Sequence, residues 1–228
     1  MFQVSEALKV AYPDAHAGIL VTAGVANPTH HPILESYKQL LQDQLRERFS
    51  AKDRNAIASL PQIRAYNAYY KTFKKTYHVQ LQLESVVFKD KTLPSVAALV
   101  EAMFMAEIKN LLLTAGHDLD TVQLPITLDV ATGEERYILL GGKEQVLKSG
   151  DMMMTDQTGV ISSVLYGPDQ RTQLKADTHN ALFAVYAPPG IEAQRVRQHL
   201  EDIQQNVLCI APEATVQMLE VFDARGVV

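Results

Sequence analysis

The pattern of hydrophobic residues changes near residue 125, and this change constrains the fold more than any other feature. Before it, apolar residues recur mostly at helical spacing, as in 32–50 and 94–112. After it, short, mostly apolar segments alternate with turn residues: ITLDVA, RYILL, DMMMT, VISSVLY and ALFAVYA. Helices in one half and closely spaced strands in the other are typical of an α+β fold. We expect a mixed or antiparallel, sandwich-like sheet core flanked by about four helices.

We find no linker, low-complexity segment or internal repeat, so the 228 residues are predicted to form a single domain, 1–228. Its first part, 1–60, contains an apolar, β-branched run at 17–26 that is typical of a buried strand, followed by a helix. In this helix we expect Ile33, Tyr37, Leu40, Leu41, Leu45 and Phe49 to face inward. The core is predicted at 61–206 and a C-terminal strand tail at 207–228.

Composition limits the possible locations and partners. Apolar residues make up 47% of the chain and charged residues 21%, as in soluble globular proteins. The sequence has no apolar run of the roughly 20 residues that cross a bilayer and no signal segment, so we expect a cytoplasmic protein without membrane contact. The net charge of −5 makes nonspecific nucleic-acid binding less expected, although a local basic patch is still possible. A lone cysteine, Cys209, excludes a disulfide framework.

The segment that follows Pro61 predicts a helix with an aromatic stripe and a basic face. The stripe consists of Tyr66, Tyr70, Phe73 and Tyr77, and the basic face of Arg64, Lys71, Lys74, Lys75 and His78. The pattern is most typical of a core stripe with solvated lysines. It is also compatible with phosphate binding beside stacking rings, or with an exposed docking helix. The following segment, 80–88, is expected to be extended.

The stretch TAGHDLDT, 114–121, concentrates titratable groups after a strongly apolar helix. Gly116 is typical of a helix end, which predicts that His117, Asp118 and Asp120 are displayed on a loop. A histidine has a pKa near neutrality, so His117 would orient or deprotonate a water molecule, with an aspartate fixing the imidazole. The same residues are equally typical of a turn in which the aspartates bind their own backbone.

Several common sites are not supported by the sequence. Gly141-Gly142-Lys143 lacks the spacing of a phosphate-binding loop, and the chain has neither a dinucleotide fingerprint nor a serine-hydrolase elbow. His30, His31 and His117 lack the spacing of metal ligands. We therefore expect no cofactor and no metal.

The order of short motifs resembles a known family. The segments LPSVAALVEAMF, GHDLD, ITLDVATGEERYILL, MMMTD and KADTHNALFAVYAPPGI are similar to the B3/B4 domain of the phenylalanyl-tRNA synthetase β subunit, and more closely to free-standing B3/B4 proteins. The resemblance covers nearly the whole chain. In the synthetase this domain houses an editing pocket that hydrolyses wrongly charged tRNA. The aminoacylation domains have no counterpart here, so the resemblance implies no ligase activity.

The resemblance also implies site residues. The family's His-x-Phe-Asp loop is similar to 117–120, which makes His117 and Asp120 the predicted catalytic residues. The resemblance also makes Glu134, Gly167 and Thr178 predicted substrate-binding residues, and the neighbouring Asp118 and Asn180 are added to them by residue type. The predicted tRNA-binding residues follow from their charge and position: Arg171 and Lys175 flank this region, and Lys71, Lys74 and Lys75 belong to the basic helix face.

This chain departs from the family at the pocket. Leu182 or Phe183 stands where the synthetase carries a glutamate, Gly167-Pro168 replaces a Gly-Gly pair, and the family's Thr-x-Ala wall is missing. The leading hypothesis is a hydrolase that deacylates mischarged aminoacyl-tRNA in trans. The alternative is a noncatalytic module that binds tRNA or a free amino acid. The sequence determines neither the amino acid, nor the tRNA, nor the oligomeric state.

Overall fold

A computed structural model describes residues 2–223 and 226–228. Seven α-helices lie within these ranges, together with a 3-10 turn at Leu119–Thr121. The helices are α1 (Glu6–Ala11), α2 (Pro32–Phe49), α3 (Arg54–Ala58), α4 (Pro61–Thr72), α5 (His78–Lys89), α6 (Ala98–Asn110) and α7 (Ala193–Ile210). Most of them precede residue 111, as the change in sequence pattern predicts.

The strands dominate the second half. They are β1 (Phe2–Val4), β2 (His16–Ala23), β3 (Thr114–Asp118), β4 (Ile126–Val130), β5 (Arg136–Ile138), β6 (Glu144–Val146), β7 (Met152–Asp156), β8 (Gly159–Ser163), β9 (Gly167–Pro168), β10 (Asn180–Ala187), β11 (Thr215–Asp223) and β12 (Gly226–Val227). One sheet has the order β1-β4-β7-β8-β9 and the other β12-β11-β2-β10-β3, while β5 and β6 form a separate hairpin.

The two five-stranded sheets share one hydrophobic core. Strand β1 runs parallel to β4, and the other pairings are antiparallel. A single cluster of buried side chains joins Ile126 and Ile161 of one sheet to Ile19 and Phe183 of the other. The predicted α+β class with a mixed, sandwich-like core is therefore confirmed.

The aromatic stripe lies in the core. Tyr66, Tyr70, Phe73 and Tyr77 are all buried, and the rings of Tyr66 and Tyr77 stack at 4.2 Å. The hydroxyl of Tyr66 donates to the backbone carbonyl of Tyr186 in β10. The core interpretation is confirmed, and the docking-helix alternative is wrong because the rings are covered.

Two local expectations are wrong. Residues 80–88 form helix α5 instead of an extended segment, because their apolar residues pack against α2 and α6 in a helical layer. On α2, Ile33, Tyr37 and Leu40 are exposed, whereas Lys38 and Gln42 are buried. The buried positions are stabilised by polar contacts: Lys38 Nζ lies 2.8 Å from a carboxylate oxygen of Glu101, and the Gln42 side chain accepts the Leu93 amide. Within the described residues, no helix is long and apolar enough to cross a membrane.

Candidate functional site

Residues 114–118 of the TAGHDLDT stretch form a buried strand, which corrects the predicted loop for His117 and Asp118, whereas Asp120 lies exposed in the 3-10 turn that follows. Helix α6 ends before it, at Leu111, which adopts a left-handed conformation with φ of 62°. The chain therefore reverses direction earlier than Gly116 would suggest, and residues 114–118 pair with β10 as strand β3. All five residues of β3 are buried. Burial of His117 and Asp118 is thus a consequence of where the helix ends.

His117 lies between elements of the core. Its side chain is 0% exposed, and Nδ1 lies 2.7 Å from the hydroxyl oxygen of Thr172. Because the Thr172 hydroxyl donates to Asp169, we infer that His117 Nδ1 carries the proton. Nε2 has no hydrogen-bond partner among the described residues. Burial lowers the pKa of His117 to about 3, with a smaller contribution from the nearby Arg171 charge, so the imidazole is neutral at physiological pH.

The predicted aspartates hold the end of β3 to the segment before β10. The hydroxyl of Thr178 donates to a carboxylate oxygen of Asp118 at 2.9 Å and accepts the Lys175 amide. The amide group of Asn180 donates to Asp120 at 2.8 Å. The structure therefore joins four predicted substrate-binding or catalytic residues in two hydrogen-bonded pairs. These pairs connect residues 118–120 to residues 178–180 and so stabilise the tertiary structure.

A cleft of about 340 Å³ opens beside β3. Helix α6, strand β3 and the segment 163–168 form its walls, and residues 173–174 close one side. Most lining side chains are apolar, as is usual for sites that bind small organic groups. The lining residues include Glu107, Thr114, Gly116, Ser163, Tyr166 and Gly167. Neither His117 nor Asp120 is among the described residues that line this cleft.

Glu107 supplies the acidic group of the cleft, and sequence reasoning missed it. Its side chain projects from α6 and is 2% exposed. One oxygen, Oε1, accepts the backbone N–H of Thr114 at 2.6 Å. Burial raises the pKa of Glu107 to about 8, so the carboxyl group is largely protonated at neutral pH. The available signal was a glutamate in a helix whose apolar surface was wide enough to predict burial on most sides.

A family model described as the B3/4 domain matches residues 63–219, which include every wall of the cleft. The chain belongs to the B3/4 domain family. Among solved structures, it is similar to an N-terminal fragment of the phenylalanyl-tRNA synthetase β subunit from Pyrococcus horikoshii, with 13% identity and a TM-score of 0.47. The match covers 96% of this chain but 54% of that one, so the chain spans about half its length. No curated protein matches the sequence.

Two hydroxyl-bearing residues, Ser163 and Tyr186, also line the B3/4 cleft, and the Ser163 side chain is hydrogen-bonded to the carboxyl group of Asp151. Asp151 is fully buried and accepts the Tyr69 hydroxyl at 2.7 Å. Burial raises the pKa of Asp151 to about 6, while hydrogen bonds from Tyr69 and Ser163 oppose the rise. Glu107, which lines the cleft, and Asp151, which is bonded to a lining residue, thus both hold a proton more tightly than usual.

Two further predicted substrate residues of the B3/4 domain have different surroundings. Gly167 lines the cleft, and its carbonyl accepts the Tyr137 hydroxyl at 2.8 Å. Glu134 lies exposed in the turn between β4 and β5, where its amide donates to the Thr132 hydroxyl at 3.4 Å. It is not among the described residues that line the cleft. Among the described residues, no group of His, Cys, Asp and Glu side chains could hold a metal ion.

The predicted tRNA-binding residues fall into two places. The side chain of Arg171 already has partners within the domain, since its guanidinium lies 2.9 Å from the Asp156 carboxylate and also donates to the Thr121 carbonyl. Lys175 is exposed nearby. At the cleft, Lys75 Nζ lies 4.1 Å from the centroid of the Tyr166 ring, while Lys71 and Lys74 are exposed on the same segment. The sequence did not single out Lys148, whose charge helps to lower the pKa of Lys75 after the larger effect of burial.

Proposed function

We propose that this B3/4 domain binds the aminoacyl end of a charged tRNA in the cleft and hydrolyses the ester. The observation that carries the proposal is Glu107, a buried carboxyl group that faces an otherwise largely apolar cleft. An aminoacyl group combines an ammonium ion with a side chain of amino-acid size. The carboxylate form of Glu107 would pair with the ammonium, and the apolar walls would accept the side chain.

Binding of an ammonium ion would change the protonation of Glu107. The group has a pKa of about 8 because its charge is poorly solvated, and a nearby positive charge favours the ionised form. An ammonium entering at neutral pH therefore releases a proton from Glu107. A neutral ligand of the same shape gains no ion pair, so the cleft discriminates in favour of amines.

Hydrolysis of an aminoacyl ester requires little from the protein beyond positioning. The ester is already reactive, so the cleft needs to orient it toward water and stabilise the developing oxyanion. His117 is outside the cleft and neutral, so in this proposal it supports the packing of β3 and transfers no proton. The tRNA would approach over Lys75, which contacts a ring that lines the cleft. The editing role implied by the family resemblance supports tRNA as the carrier.

A second candidate is a noncatalytic module that binds the same end without cleaving it. Two observations favour it. The predicted base, His117, is buried with a pKa of about 3. The positions that correspond to the family's pocket glutamate, Leu182 and Phe183, are fully buried in β10.

The experiment measures deacylation of a panel of misacylated tRNAs by wild type, Glu107→Gln and His117→Ala. We expect turnover by wild type, at least a tenfold loss with Glu107→Gln, and retained turnover with His117→Ala provided that it folds. Glu213→Gln, at an exposed position outside the cleft lining, is the matched control. Binding of charged tRNA without turnover would favour the module. If wild type showed no binding and no turnover with any tRNA of the panel, both candidates would be refuted.

A further inference from the structure

The cleft follows the backbone edge of strand β3. Thr114, Ala115 and Gly116 are consecutive, and all three line it. Successive side chains of a strand point to opposite faces, so what three neighbours present together is their main chain. Strand β3 is the last strand of its sheet, which leaves this edge without a partner strand among the described residues.

The hydrogen bonds of β3 show which backbone groups face the cleft. The carbonyl of Leu113 accepts the Tyr186 amide. The backbone N–H and C=O groups of the odd-numbered residues of β3 therefore point toward β10. Even-numbered residues point the other way. The Thr114 N–H donates to Glu107, and the Asp118 N–H donates to the Thr172 carbonyl at 2.7 Å. Gly116 lies between them with the same orientation.

The N–H of Gly116 is therefore directed at the cleft, and it has no partner among the described residues. The space beside its Cα is already occupied: a Cβ there would lie 2.8 Å from Leu174 Cδ1 and 3.3 Å from Met103 Sδ. These side chains cover the face of the strand, while the edge stays open to the cleft. A buried donor without an acceptor costs free energy that a ligand oxygen would recover.

Glu107 and the Gly116 amide are spaced to hold one aminoacyl group. A strand rises about 3.4 Å per residue, so the amides of residues 114 and 116 are about 7 Å apart. Glu107 is bonded to the first of these amides. The ammonium nitrogen and carbonyl oxygen of an aminoacyl ester are about 3 Å apart, and each hydrogen bond adds about 2.9 Å. Such a group spans the gap with both ends bonded.

We propose that the Gly116 N–H donates to the carbonyl oxygen of the aminoacyl ester while Glu107 holds the ammonium. The inference rests on the proposed function. In hydrolysis, the oxygen of water bonds to the carbonyl carbon and the carbonyl oxygen becomes an oxyanion at Gly116. The bond to the ribose oxygen then breaks, and that oxygen takes up a proton from the attacking water. Gly116 thus acts through its main chain, which explains why no side-chain motif marks it.

The test replaces Gly116 by glycolic acid, which exchanges the backbone N–H for an ester oxygen and leaves the shape unchanged. The control is the same replacement at Gly141, an exposed turn residue where nothing lies within 4 Å of the position a Cβ would take. Binding is measured by calorimetry with matched probe pairs: leucine methyl ester against isopentylamine, and phenylalanine methyl ester against 2-phenylethylamine. Each amine keeps the ammonium and side chain but lacks the carbonyl.

We expect wild type and the Gly141 control to prefer the esters by about tenfold, the effect of one hydrogen bond, and the residue-116 variant to lose this preference. Glu107→Gln weakens both members of each pair. Equal ester preference in the residue-116 variant and wild type would overturn the inference alone. No binding of any probe by wild type would overturn the proposed function and the inference with it.

A second measurement keeps the proposal testable if the backbone variant does not fold. In wild type, the Gly116 amide proton is followed by NMR during titration with each ester and its amine. We expect a downfield shift and slower hydrogen exchange with the ester only. The same response to ester and amine, or none to either when both bind, would overturn the inference.

Discussion

Replacement of Glu107 by glutamine should make the protein more stable at alkaline pH. The pKa of Glu107 is raised from 4.5 to about 8 in the folded state, so the folded protein keeps a proton that the unfolded chain loses. Wild-type stability therefore falls as pH rises through this window, by ~1.4 kcal/mol per pH unit. From about pH 5 to about pH 8 the loss amounts to roughly 3 to 4 kcal/mol. Glutamine copies the protonated carboxyl and still accepts the Thr114 amide, but it does not ionise.

The measurement is the free energy of unfolding in urea at several pH values for wild type, Glu107→Gln and the exposed control Glu134→Gln. The difference between Glu107→Gln and wild type should grow with pH and level off above about pH 8, while the control should follow wild type. Taking the difference removes the contributions of other buried groups such as Asp151. Parallel profiles for Glu107→Gln and wild type would refute the assignment of a neutral carboxyl in the cleft.

Three further outcomes follow from particular contacts. His117→Gln should flatten the acid side of the stability profile, because the pKa of His117 falls from 6.5 to about 3 and wild type loses stability as pH drops through that range; unchanged acid unfolding would contradict this. Thr178→Val removes the hydroxyl bonded to Asp118 and should lower the free energy of unfolding by about 1–3 kcal/mol in denaturant; a change near zero would contradict a stabilising role for this hydrogen bond. Lys71→Ser with Lys74→Ser should weaken tRNA binding and reduce its salt slope by about 1 to 2, whereas an equal slope would exclude this surface.

Much of the fold could be predicted from local pattern. The β-branched run at 17–26, the helix that begins at Pro32 and the strands after residue 125 follow from periodicity and turn residues, and β2, α2, β4 and β7 lie where expected. The helix at 78–89 was missed because alternation in a short segment cannot separate a strand from a helix. The exposed stripe on α2 was missed because ion pairing with Glu101 buries a lysine that composition assigns to the surface.

The candidate site likewise has some features that the sequence predicts and others that depend on the tertiary structure. The sequence alone determined that titratable residues cluster at 114–121, and the family resemblance assigned Thr178 to the same site. The structure pairs Asp118 with Thr178. Only the tertiary structure decided which residues face the cleft. The end of α6 at Leu111 turned the expected loop into a strand and buried His117, and it placed Glu107 and the free edge of Gly116 on one cleft. Which side of a strand is unpaired, and whether a carboxyl meets water, depend on distant segments, so no local pattern could reveal them.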